Sequence, residues 1–182
     1  METSRQHKGH PPRLRSWDYS SVGAYFVTFV VKEKVRCLST IEYGRLQLIR
    51  WGEIVENCWF GLPSQFQSVI LDEIVIMPNH VHAIIFLTET GMKGALLHQG
   101  STSQGSTLKP MMADPRLVLG KVIRAWKAKS TRMIHEAGDP SFAWQSRYYE
   151  HIIRNELELD QIRTYIASNP ARWDIDVENP ER

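Results

Sequence analysis

The stretch "IMPNHVHAIIFL", residues 76–87, constrains this chain more than any other. From His80 onward nearly every side chain is apolar, so "HVHAIIFL" reads as a buried central strand. The preceding "FQSVILDEIVIMP" is rich in β-branched residues and reads as a second strand. Met77-Pro78-Asn79 suits a turn or kink between the two. The period of two sends His80, His82, Ile84 and Phe86 to one face, and Val81, Ala83 and Ile85 to the other. Two imidazoles therefore project together from a strand that otherwise looks like core.

The rest of the chain supplies the elements around this pair. "AYFVTFVVK", residues 24–32, has the aromatic and β-branched composition of a strand. In "EYGRLQLIRWGEIVENCWFGL" the apolar positions Leu48, Trp51, Ile54, Val55 and Trp59 have helical spacing, with Gly61 and Pro63 as stops. Residues 115–138 predict a helix opened by Pro115 and closed near Gly138, with Leu119, Val122, Ile123, Trp126 and Met133 as its apolar stripe. Lys121, Arg124, Lys127, Lys129 and Arg132 spread over its remaining surface, either as a solvated face or as a phosphate-binding one. "FAWQSRYYEHIIR", 142–154, reads as a strand. "NELELDQIRTYIASNP", 155–170, reads as a short helix with Asn155 as N-cap, Glu158 in a box-like arrangement and Pro170 at its end. The first six elements follow the β-α-β-β-α-β order of a ferredoxin-like α+β sandwich. The expected architecture is an antiparallel sheet of four or five strands with two helices on one face, plus a C-terminal helix bearing Tyr165.

Size and charge bound the partners. The 182 residues suffice for one domain with a core, and 42% hydrophobic with 23% charged is a globular profile. No apolar run approaches the roughly 18–20 residues of a membrane span. The basic, polar start "METSRQHKGHPPRLRSW" lacks the apolar centre of a secretory signal. Cys37 and Cys58 form no disulfide framework, which fits a reducing cytoplasm. A net charge of +2 does not by itself announce a nucleic-acid binder, so the distribution matters more. Residues 1–16 form a basic arm with Arg5, Lys8, Arg13 and Arg15, a phosphate-binding segment or a solvated terminus. Residues 17–173 read as one domain. Residues 174–182 form an acidic tail with Asp174, Asp176, Glu178 and Glu181. Residues 88–114, with the near-repeat "QGSTSQGST", read as a long flexible loop.

The histidine pair reads two ways. Each ring can be satisfied by a backbone carbonyl, as buried histidines commonly are. Alternatively both can share one ion: i and i+2 Cα atoms lie roughly 6.6 Å apart in a strand, and imidazole nitrogens ligate at about 2.0–2.2 Å. Two buried imidazoles repel when charged and cost desolvation when unpartnered, and an ion removes both penalties. Such a site needs a further oxygen ligand and an anion, and a phosphate would serve as both anion and substrate. No acidic ligand cluster or serine-based motif stands out. Tyr165 and Asn169, four residues apart, share one flank of the last helix, beside the stripe Leu159, Ile162 and Ile166. Tyr165 is then a nucleophile needing a nearby cation, or a packing aromatic; Asn169 is an uncharged oxygen ligand, or a helix-ending residue before Pro170.

"MPNHVHAIIFL" resembles the histidine–hydrophobic–histidine (HUH) motif of single-tyrosine transposases. "LGKVIRAWKAKSTRMI", "WQSRYYEHIIRNELELDQIRTYIASNPARW" and the element order resemble the REP-associated tyrosine transposases within that group, over roughly residues 17–173. The resemblance implies a ferredoxin-like fold and a divalent ion, Mg2+ or Mn2+, held by His80, His82 and Asn169. It implies Tyr165, not Tyr148 or Tyr149, as nucleophile, forming a 5′-phosphotyrosine on single-stranded or hairpin DNA, and a monomer or homodimer in the cytoplasm, nucleoid-associated when bound to DNA. Arg124, Lys127, Arg147, Tyr148, His151 and Arg154 are the candidate DNA contacts; for His151 a sheet-stabilising role stands beside that one, and Trp144, Tyr148 and Tyr149 are candidates for stacking on unpaired bases. Two rival functions remain: a host-retained hairpin-binding protein with little catalysis, and a metal-dependent phosphodiesterase that uses water.

Overall fold

The computed structural model describes residues 23–88 and 115–181. The basic arm and nearly all of the 88–114 loop lie outside the described residues. Strands β1 (Gly23–Val30), β4 (Val69–Ile76), β5 (His80–Leu87) and β6 (Tyr149–Ile153) form one sheet in the order β4-β5-β1-β6. All three pairings are antiparallel. Helices α1 (Arg50–Phe60) and α3 (Pro115–Glu136) cover one face, and α4 (Glu156–Ser168) covers the other. The expected ferredoxin-like arrangement is thus present with four strands.

Covering on both faces explains why β5 is buried along nearly its whole length. Val81, Ala83, Ile85 and Leu87 join Tyr25, Val27 and Phe29 of β1 beneath Val55, Trp59, Leu119, Val122, Ile123 and Trp126. Phe29 packs 4.5 Å from the Trp126 ring, and Trp59 meets Trp126 edge to face at 5.5 Å. On the opposite face Ile84, Ile153, Leu159 and Ile166 form a smaller core with Phe26, Val75, Phe86 and Ile162 around it. His80 and His82 belong to that second face, so α4 closes over them.

Three local expectations are corrected. Residues 42–48, read with the first helix, instead form part of a hairpin, β2 (Ser39–Glu42) and β3 (Arg45–Leu48). Its turn residues Tyr43 and Gly44 both take positive φ, 50° and 72°, as a two-residue type I′ hairpin requires. Helix α1 does stop at Gly61, but Pro63 lies beyond that stop rather than ending the run. It sits in the first turn of the short helix α2 (Leu62–Gln65), where its missing N–H costs nothing. The strand expected over 142–154 is regular only from Tyr149, with a single bridge from Trp144 to Val31. Phe142 and Trp144 are drawn instead into the aromatic core, where Trp144 Nε1 donates to Ser130 Oγ at 3.0 Å.

Two devices seat α4. Asn155 caps it, accepting from the Glu158 backbone N–H at 2.8 Å. The Glu158 carboxylate reaches back one residue beyond the usual box, to the Arg154 N–H at 2.7 Å. In the middle of the helix Arg163 grips Asp72 with two hydrogen bonds, 2.9 and 2.6 Å. Asp72 stands where the β4–β5 register shifts between Leu71 and Ile74, so the irregularity aims a carboxylate at the helix. No helix among the described residues is long and apolar enough to cross a membrane.

Candidate metal and tyrosine site

The sequence spacing put His80 and His82 on one face, and the fold keeps them there with ring centroids 4.6 Å apart. Both are buried, and burial is the first cause that holds both pKa values down at about 3. The nearby Lys34 charge adds to the effect at His80, and His80 itself adds to it at His82, where Asp176 opposes it. Both rings are therefore neutral at physiological pH, the form in which imidazole ligates a metal.

Each ring is anchored on its Nδ1 side. His80 Nδ1 is 2.8 Å from Asn79 Oδ1, and His82 Nδ1 is 2.8 Å from Thr28 Oγ1. Thr28 is the cross-strand partner of His82 in the β1–β5 register. Phe26 stacks on His82 at 5.3 Å, and Trp173 lies 6.1 Å from His80. Such outer partners are what orient ligating histidines.

On the Nε2 side His82 faces the tyrosine helix. Tyr165, half-exposed on α4, places its hydroxyl 3.2 Å from His82 Nε2. Asn169, one turn later at the helix end, is buried rather than solvated. His80 Nε2 and Asn169 Oδ1 are both buried with no hydrogen-bond partner. Burial raises the Tyr165 pKa, Asp176 raises it further, and a hydrogen bond from Asn169 opposes them. The phenol is thus protonated at neutral pH.

The structure adds a residue that sequence reasoning assigned to the tail. Asp176 follows the 3-10 turn Pro170–Ile175 and is buried, with Oδ2 4.0 Å from His80 Nε2. One ligand atom each from His80, His82 and Asp176 lie within 4.8 Å of one another. The missing signal was only partial. The site called for an anion, and Asp176 is a carboxylate seven residues beyond Asn169, but nothing in "WDIDVENPER" marks which acid turns inward. The donor set suits a hard divalent ion: two neutral nitrogens, a carboxylate and an amide oxygen. Two orphaned buried acceptors with no other partner are what such an ion would satisfy.

The six candidate DNA residues fall into separate groups. Arg124, Lys127 and Tyr148 line a groove of about 720 Å³ between α3 and residues 143–148, together with Arg132 and His135. That groove lies on the α3 side of the sheet. Lys127 is half-buried there, its pKa lowered to about 8 by desolvation, and it donates to the carbonyls of Gln145 and Arg147. His151 pairs across the sheet with Phe26, so it lies on the Tyr165 side, where its Nε2 meets Glu158 at 2.7 Å. Arg147 and Arg154 are exposed. Tyr149 packs edge-on to Phe26. Neither cysteine is set up as a nucleophile: Cys58 is buried, and burial raises the Cys37 thiol to about 11.

A ferredoxin-like sheet with paired histidines on an inner strand and a tyrosine reaching them from a separate helix is the arrangement that the resemblance to single-tyrosine HUH transposases led us to expect. Comparison with known proteins points the same way. The chain is 34% identical over 179 residues to an uncharacterised protein of Haemophilus influenzae, spanning 93% of this chain and 92% of the relative. It is 24% identical over 155 residues to a second H. influenzae protein, named for the REP-associated tyrosine transposases, spanning 85% and 74%. The solved structure of a REP-associated tyrosine transposase bound to a REP hairpin matches the fold with a TM-score of 0.51 at 17% identity, covering 94% of this chain and 74% of that one. No family model matches. The chain is thus similar in sequence and in fold to REP-associated tyrosine transposases, the family that the sequence resemblance named.

Proposed function

We propose that this protein is a metal-dependent single-strand DNA endonuclease and strand transferase with Tyr165 as its nucleophile. The observation that carries this reading is the 3.2 Å approach of the Tyr165 hydroxyl to His82 Nε2, beside two buried acceptors without partners. His80, His82, Asp176 and Asn169 would hold the ion. When bound, Mg2+ or Mn2+ would act as a Lewis acid, drawing charge from an oxygen of the scissile phosphate.

The protein's own groups do the rest. Tyr165 loses its proton and its oxygen bonds to phosphorus. The 3′ oxygen of the preceding nucleotide leaves with the electron pair and takes up a proton. The products are a 5′-phosphotyrosine and a free 3′ hydroxyl. Attack by another 3′ hydroxyl reverses the step and restores the phenol, so strands rejoin without an outside energy source. With its proton on Nδ1, His82 would offer its Nε2 lone pair to either the phenol or an ion. In the arrangement seen here it faces the phenol.

Single-stranded or hairpin DNA is the substrate this reading assigns, in keeping with the REP hairpin bound by the solved neighbour in fold. Arg124, Lys127, Arg147, Tyr148, His151 and Arg154 are its candidate contacts. The protein acts in the cytoplasm, as a monomer or homodimer. The test is a denaturing gel with labelled hairpin oligonucleotides from the DNA flanking the gene, in Mn2+. The expected result is a protein–DNA adduct that disappears in Tyr165→Phe. Cleavage surviving Tyr165→Phe would establish a water-using phosphodiesterase instead. Binding without cleavage would establish a hairpin-binding protein.

A further inference from the structure

Building on the metal-site reading above, we propose that Asn79 is the positioning residue of the ion site. It fixes the proton on His80 and ties the C-terminal segment carrying Asp176 to the catalytic strand.

The argument starts from which end of the amide faces which neighbour. Asn79 is fully buried. Its Nδ2 lies 2.7 Å from the Glu178 carbonyl and 3.2 Å from the Lys34 carbonyl. Carbonyl oxygens only accept, so the NH2 end must face both, and Oδ1 must face His80 Nδ1 at 2.8 Å. An amide oxygen also only accepts, so His80 Nδ1 carries the ring proton. The lone pair is then left at His80 Nε2, the buried atom without a partner that faces Asp176. Two backbone carbonyls thereby select the tautomer that can ligate an ion.

The same amide holds the other half of the site. Glu178 lies two residues beyond Asp176, and its N–H donates to Asp176 Oδ1 at 2.7 Å in a tight turn. Clamping the Glu178 carbonyl therefore sets where Asp176 sits. Lys34 and Arg36 reinforce the clamp from outside: Lys34 Nζ donates to the Val177 carbonyl and pairs with Glu178 at 3.0 Å, and Arg36 pairs with Glu181. Ion binding and seating of residues 176–181 are then one linked equilibrium, each strengthening the other.

Mn2+ titration calorimetry on the full chain without DNA tests this. Asn79→Ala is expected to weaken Mn2+ binding by about 10–100-fold, with hairpin affinity in EDTA unchanged. In the wild type Mn2+ is expected to slow amide exchange in residues 176–181, an effect lost in Asn79→Ala. A second measurement needs no variant: nitrogen-15 histidine spectra of the metal-free protein should show His80 as the Nδ1–H tautomer. An Nε2–H tautomer, or unchanged Mn2+ affinity in folded Asn79→Ala, overturns the proposal while leaving the ion site standing. A wild type that binds no Mn2+ overturns both.

Discussion

At the scale of single residues, His82 is held at both ring nitrogens, by Thr28 and by Tyr165. Removing the hydroxyl of Tyr165 costs its contacts with His82 and Asn169, on the order of 1–2 kcal/mol in this half-exposed position. Tyr165→Phe is therefore expected to melt within a few degrees of the wild type and to bind hairpin DNA normally, yet to form no covalent adduct. Comparing thermal melts, gel shifts and adduct gels on the same preparation checks all three. The histidines also set a pH dependence. Their folded pKa values, about 3, lie below the ordinary 6.5. Between those values the unfolded chain binds protons that the folded chain refuses, so stability falls as pH drops below about 6.5 and continues to fall towards about 3. Melting temperature in EDTA, followed from pH 7.5 to pH 4.5, should decline, and His82→Gln should flatten the decline. An equal decline in that variant would place its cause elsewhere.

At the scale of elements, what matters is how α4 is held against the sheet. The Arg163–Asp72 grip links the tyrosine helix to the irregular part of β4. Arg163 is partly exposed, so solvent screening keeps the pair's contribution to stability small. Its larger effect is on aim. Arg163→Ala is expected to lower the rate of adduct formation by roughly 10-fold or more while changing Tm by only a few degrees, measured by single-turnover adduct kinetics. Helix α1 has a different constraint. A Cβ on Gly52 would collide with the backbone carbonyl of Leu38, because the first turn of the helix lies directly on the start of β2. Gly52→Ala should cost about 1–3 kcal/mol, seen as a drop of several degrees in Tm.

The same scale shows what the sequence made legible. Tyr25, Val27 and Phe29 alternate cleanly, and β5 is apolar on both faces around its histidines, so the sheet could be read from periodicity, whereas the face that α4 covers could not. The β2–β3 hairpin could not be separated from α1, because Leu48 fits the spacing of both the strand it ends and the helix that follows. The aromatic run 142–148 looked like strand because aromatic residues favour strands, but Phe142 and Trp144 fill core space beside Trp126, with only the one bridge from Trp144 to Val31.

At the scale of the whole molecule, the sheet separates two surfaces: the histidine and tyrosine site under α4, and the basic groove beside α3. With a net charge of +2, nonspecific attraction for DNA is weak, and single cations should count. If the groove contacts phosphate, Arg124→Ala should lower hairpin affinity and reduce the slope of log affinity against log salt by about 1, measured by fluorescence anisotropy. An unchanged slope would remove Arg124 from the DNA surface.

The sequence by itself determined that His80 and His82 share a face, that Tyr165 and Asn169 share another, and that an antiparallel sheet carries two helices on one face. Each of these follows from a local period, since strand and helix geometry fix directions over a few residues. Only the tertiary structure decided that the Tyr165 hydroxyl meets a ring 83 positions away, that Asp176 turns inward from an acidic tail, and that Asn79 binds both halves together. Those contacts come from how separate elements pack, and no repeat along the chain encodes the distance between them.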